Sequence, residues 1–265
     1  METTKAFNLP QVDEVHLTNA PLIAVLAQVM FGSLLSIKNE EEVSRFQESI
    51  RDKYPVLKTE KNKTSTVDVV AGSVISTSEQ TIWRFSDAQD IWRVSLSPEF
   101  VAIETRKYGT REEFSNRLSE ILKAVAKQFN PTIMTRIGVR YVDRLQGGDL
   151  DKISTLVNPT LVGLLNTELN VVVDVSINEA LFKFDSKNVF ARWGLLPPGA
   201  TIDPNLVKPI RDRSWILDID ASTSDSKVWN HDFLLQEIES LADLSYKFFR
   251  WSVKPEFLRH FGGKV

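Results

Sequence analysis

Apolar and polar positions along this chain form two similar series. Residues 22–37 (LIAVLAQVMFGSLLSI) are almost continuously apolar, which predicts a buried strand with an irregularity at Gly32. Asn39 then reads as a helix N-cap, and Glu40, Glu41 and Glu42 suit the positive end of a helix dipole. Val43, Phe46, Ile50 and Tyr54 make the apolar stripe of that helix, and Pro55 stops it. Residues 58–65 (KTEKNKTS) read as a polar loop, followed by strands at 66–77, 80–86, 90–96 and 100–106. A long helix over 110–129 has Phe114, Leu118, Ile121, Leu122, Val125 and Phe129 on one face, with Thr110 and Glu113 at capping-box spacing.

The second series opens at 133–145 (IMTRIGVRYVDRL), another strand-like run. A Gln-Gly-Gly turn leads to a short helix near 149–165, interrupted by Pro159. Strands are predicted at 169–177, 180–185, 188–196 and 213–221, with a Pro-rich loop at 197–212. A helix over 230–251 and a short one over 255–261 close the chain. The fold class predicted is α+β: two pseudo-repeated β-α-β-β-β-α halves, 21–131 and 132–265, preceded by a leader segment, 1–20. Sequential hairpins make one continuous antiparallel sheet the default, with the long helices packed on one face. A single α+β domain without the repeat is the alternative.

Composition narrows the function. With 42% hydrophobic and 25% charged residues over 265 positions, the chain can bury a sizeable core. It has no cysteine, which removes disulfides, thiol nucleophiles and thiolate metal sites and fits a cytoplasmic protein. The apolar runs are broken well short of the ~18 residues needed to span a bilayer, so no membrane association is expected. The net charge of −3 argues against a dedicated nucleic-acid binder.

Four segments occur in a telling order: PLIAVLAQVMF (21–31), RIGVRYVDRL (136–145), LDID (217–220) and KPEFLRHFG (254–262). In these the chain resembles the TIGR04255 family, a sporadically distributed group of bacterial proteins, over nearly its whole length. The resemblance implies a bacterial protein with no established activity to transfer. The family's patchy distribution resembles that of mobile defence and toxin–antitoxin modules.

The sharpest candidate site is a row of arginines. Arg136, Arg140 and Arg144 share one face of a strand, opposite Ile133, Ile137, Val139 and Tyr141. Arg84, Arg93 and Arg192 each neighbour a tryptophan (Trp83, Trp92 and Trp193) that belongs on the core face. Six guanidinium groups on a helix-free sheet face could bind phosphate or carboxylate. The plainer reading is a cross-strand salt ladder with Glu104, Asp174, Asp218 and Asp220. Asp218 and Asp220 share a face and could hold a divalent ion, or simply pair with arginine. His16, His231 and His260 lack metal-ligand spacing, and no phosphate loop or nucleophile elbow occurs. The LLPPGA segment (195–200) reads either as an exposed apolar tip or as a loop folded over the sheet's end. No catalytic residue, metal site or cofactor is predicted. The leading expectation is a non-enzymatic binding protein that takes a protein partner on the helix-free face. Single-stranded nucleic-acid binding and a metal-dependent enzyme using Asp218 and Asp220 are the alternatives. The sequence sets no oligomeric state.

Overall fold

The computed structural model describes residue 9, residues 11–67 and residues 74–264, and leaves out the side chains of 62–67 and 74–80. It shows a mixed α/β chain with a large antiparallel sheet and several helices. Two compact units are built from interleaved segments: one from residues 26–137 and 224–237, the other from 1–25, 138–223 and 238–265. Strands β1 (Leu22–Phe31) and β6 (Ile133–Gln146) contribute to both units.

In the first unit the strand order is β2-β3-β4-β5-β1-β6, with β2 Val56–Val67, β3 Val74–Ser86, β4 Trp92–Ser97 and β5 Phe100–Thr105. The 58–65 segment, expected as a loop, is part of β2 and pairs along its length with β3. The strand expected at 66–77 falls partly on residues 68–73, outside the described residues. Helix α1 (Glu40–Ile50) is capped as expected, with the Asn39 side chain accepting from the Glu41 amide at 2.9 Å. Helix α2 (Arg111–Phe129) is capped by Thr110, which accepts from the Glu113 amide at 3.1 Å, and ends at Asn130 in the left-handed region. Both helices bury their stripes against the tryptophan-bearing face of the strands. Phe46 meets Phe85 and Phe129, and Trp92 meets Phe114, at centroid distances of 5.6–5.8 Å.

In the second unit the order is β1-β6-β9-β8-β7, with β7 Ser176–Phe184, β8 Lys187–Leu196 and β9 Ser214–Thr223. The register sets Leu195, Trp193, Ala191 and Val189 beside Trp215, Leu217, Ile219 and Ala221 on one face. That face is the core, and helix α6 (His231–Ser252) packs on it through Phe248, whose ring lies 5.0 Å from Phe182. Helix α7 (Pro255–His260) starts with proline at its first turn and buries Phe257 and Leu258.

Two expectations change in this unit. The helix near 149–165 is three four-residue turns, α3 (Gly148–Asp151), α4 (Ile153–Leu156) and α5 (Pro159–Val162), followed by two 3-10 turns. The strand expected at 169–177 begins only at Ser176, and Glu168–Val171 is a 3-10 turn. Pro159 accounts for the second break, because it stands at the first turn of α5 and lacks the amide that continuing α4 would need.

At Gly194 the φ is +145°, and a side chain there would sit 1.8 Å from the Ser176 carbonyl oxygen. Only glycine lets β8 approach the start of β7 this closely. Among the described residues no helix is long and apolar enough to cross a membrane.

Candidate functional site

Alternation along each strand places the arginines on the face opposite the core, as the spacing predicted. The structure then supplies most of them with carboxylates. In the second unit, β8 pairs with β9 so that Arg192 stands opposite Asp218 and Phe190 opposite Asp220. Arg140 reaches from β6 into this row. Its Nε and Nη2 donate to the two Asp218 carboxylate oxygens at 2.8 and 2.9 Å, a bidentate pair. Its Nη1 donates to Asp203 at 2.8 Å. The Asp218 side chain is 4% exposed and that of Arg140 18%. Burial alone would pull the Arg140 guanidinium down, but the hydrogen bonds and charges of Asp218 and Asp203 hold it above its ordinary value.

Arg192 donates to Glu179 of β7 at 2.6 Å and to the Ile202 carbonyl at 3.3 Å. Arg144 is buried beneath the 197–212 loop and donates to the Lys208 carbonyl at 3.0 Å. Its Nε finds no partner in the described residues, and burial lowers its pKa. These groups leave a shallow basin of about 230 Å³ lined by Arg140, Arg192, Asp218 and Asp220, with Phe190 and Ile202 as its apolar wall. That is smaller than the ~300–1,000 Å³ usual for small-molecule sites.

Arg84, Arg93 and Arg136 belong to the first unit. Arg84 donates to Glu60 at 2.6 Å and to the Ser95 hydroxyl at 2.7 Å. Arg93 lies 2.6 Å from Glu104, which also faces Arg106. Burial raises the Glu104 pKa against the opposing pull of Arg93. Arg136 donates to the Gln28 side chain at 3.3 Å. The cross-strand ladder is therefore what the geometry contains, with Glu104 and Asp218 among its members.

Sequence reasoning missed three partners. Asp203 lies in the Pro-rich loop, where no periodicity points inward. Glu179 sits on β7 directly opposite Arg192, which the alternation could have shown had the strand start been placed correctly. Glu60 was hidden by the loop reading of 58–65. Asp174, expected as a strand residue, lies in the irregular segment before β7.

One strong perturbation was also missed. Asp143, on the core face of β6, is 7% exposed, and burial pushes its pKa up to about 7.

The remaining candidates resolve plainly. His260 meets Asp149 at 2.6 Å, and His231 meets the Ser119 hydroxyl at 3.1 Å. The α6 N-terminus is capped by Asn230, whose side chain accepts from the Phe233 amide at 2.8 Å. In the LLPPGA segment Leu195 and Leu196 are buried at the end of β8, while Pro198 and Gly199 at its tip are exposed. Among the described residues no three histidine or carboxylate groups converge to hold a metal ion. Asp218 in particular is already engaged on both oxygens by Arg140.

Exposed apolar surface is concentrated elsewhere. Of the twelve large apolar side chains exposed among the described residues, seven lie between Leu164 and Leu181. Val171 is 87% exposed, Val172 74% and Leu181 59%. No family model matches the chain, and no match was found among curated proteins.

Proposed function

We propose that this chain is a non-enzymatic interaction protein of bacterial origin and a member of the TIGR04255 family, whose ligand is another protein. The observation that carries the reading is the run of exposed apolar side chains from Leu164 to Leu181, which borders the arginine-bearing face at Ile177 and Leu181. Patches of this kind on a folded domain mark protein contacts. The arginine row fits nucleic acid less well, because Arg84, Arg93, Arg140 and Arg192 already face carboxylates of their own chain. A partner within a mobile defence or toxin–antitoxin module is the specific version that the family's distribution suggests.

The duplicated architecture belongs to the same reading. Outward from β1 the strands run β5, β4, β3, and outward from β6 they run β9, β8, β7. That order supports two βαβββα halves with β1 and β6 in equivalent positions.

The test is a tagged pull-down from the native host, comparing the wild type with the Val171→Asp/Val172→Asp variant. Both positions are exposed, so the variant should fold normally. One stoichiometric protein, lost with the variant, is expected. Equal recovery with both forms, or nucleic acid released by moderate salt, would overturn the reading.

A further inference from the structure

The second unit's sheet ends at β7, whose nine residues pair with β8 alone among the strands. Natural edge strands are usually blunted by proline, bulges, shortness or a run of lysines. The other end strand follows that rule, since β2 carries Lys58, Lys61 and Lys63. β7 does not. Its sequence, SINEALFKF, holds no proline or glycine, and its register with β8 is unbroken. Alternation puts Ile177, Glu179, Leu181 and Lys183 on the arginine-bearing face, and Leu181 is 59% exposed there.

This edge is complementary to itself in one register. When two copies run antiparallel with the two-fold axis at Leu181, Glu179 stands opposite the partner's Lys183 and Lys183 opposite the partner's Glu179. Leu181 then meets the partner's Leu181 on the axis. On the other face Ala180 stands opposite the partner's Phe182, a small-against-large pair. Opposite charges directly across a ladder stabilise it and like charges destabilise it. Moving the axis to Ala180 sets Glu179 against the partner's Leu181 and leaves Lys183 against the partner's Ile177. A parallel pairing in register sets glutamate on glutamate and lysine on lysine. Only the first arrangement sets both charges opposite charges of the other sign, with Glu179 also keeping Arg192, and buries the exposed leucine.

We infer that two copies of this chain pair antiparallel through β7, joining their sheets edge to edge in an isologous contact centred on Leu181. Backbone hydrogen bonds supply the continuity, and the Glu179–Lys183 pairs fix the register. Val171 and Val172, the residues tested for the protein partner, are not part of this pairing.

Sedimentation equilibrium of the full chain over a concentration series reads the association, with circular dichroism as the check on folding. The wild type is expected to reach a dimer of the 30.1 kDa chain. Lys183→Glu sets four carboxylates around the axis and is expected to weaken the dimer at least about tenfold. Glu179→Lys does the same with four ammonium groups and also removes the carboxylate of Arg192, so its folding is checked first by circular dichroism. Mixing the two folded variants restores both opposite-charge pairs, and a mixed dimer is expected. A wild type that stays monomeric throughout the series, variants that dimerise as well as the wild type, or a mixture that stays monomeric would each overturn the inference. These outcomes leave the pull-down with the Val171 and Val172 variant to decide the partner reading separately.

Discussion

Replacing Arg140 by alanine should cost this protein far more than an ordinary surface substitution. The Arg140 side chain is 18% exposed, and its three hydrogen bonds to Asp218 and Asp203 are all 2.8–2.9 Å long. Its loss leaves Asp218, which is 4% exposed, without its bonded counter-charge. Breaking a buried pair from one side typically costs about 3–5 kcal/mol, because the remaining charge stays desolvated. That is a large part of the ~5–15 kcal/mol by which a domain is usually stable. Asp218→Asn should cost less, about 1–3 kcal/mol, since Arg140 keeps Asp203. The double variant Arg140→Leu/Asp218→Leu should cost less than Arg140→Ala alone, because neither charge is left stranded. Urea unfolding followed by circular dichroism measures all three, with the midpoint moving and the slope unchanged. A cost below about 1 kcal/mol for Arg140→Ala, the value of an exposed pair, would refute the reasoning and make the guanidinium an available binding group. The same numbers govern how a binding assay is read. Lost affinity in an Arg140 or Arg144 variant reports contact loss only if the variant is still folded at the assay temperature.

Two further predictions follow from buried features of the second unit. Burial raises the Asp143 pKa from 3.8 to about 7, so the folded state holds a proton that the unfolded chain releases; stability should fall as pH rises through that window and level off above it. At about 1.4 kcal/mol per unit the loss is at most about 4 kcal/mol. Asp143→Asn should flatten the urea midpoint between pH 4 and 8, and parallel profiles for the two proteins would count against it. Gly194→Ala drives a methyl group into the Ser176 carbonyl at a φ of +145°, at a cost of about 3 kcal/mol or more. The thermal midpoint should drop on the order of 5–10 °C, and an unchanged midpoint would show that β8 can move away from β7.

What the sequence reveals and what it hides follow from burial. Helices α1, α2 and α6 each bury one stripe, so periodicity and caps located them closely, down to Asn39 and Thr110 as caps. β6 and β9 have a covered core face, and the two-residue alternation placed Arg136, Arg140 and Asp218 on the opposite side. β2 gives no such signal. From Lys58 to Lys61 its described side chains are largely exposed, so a paired strand there has the composition of a loop. The 148–175 segment fails for another reason. Its order comes from short capped turns at Asn158 and Thr167, which are local hydrogen bonds without a period. Asp203 lies in the Pro-rich 197–212 loop, which has no period either, and Glu179 was missed because the start of β7 was misplaced.

The arginine row works best as a register device. Arg140 meets Asp218 and Arg192 meets Glu179 only when the neighbouring strands are aligned as they are. A one-residue slip would turn each carboxylate to the core face and strand both charges. Polar groups of this kind cost stability against an apolar core but penalise the wrong pairing more heavily. Such a face is electrostatically satisfied before any ligand arrives, so attraction for a second molecule must come from what the ladder leaves over. On this unit that is the Val171–Val172 surface and the outer edge of β7. Lys183 has no carboxylate bonded to it among the described residues, and Glu179, which holds Arg192, is still 51% exposed on the strand that no further strand covers. The charges that lock the sheet internally and those that would join it to a second copy thus belong to one continuing pattern of alternation, broken off at β7.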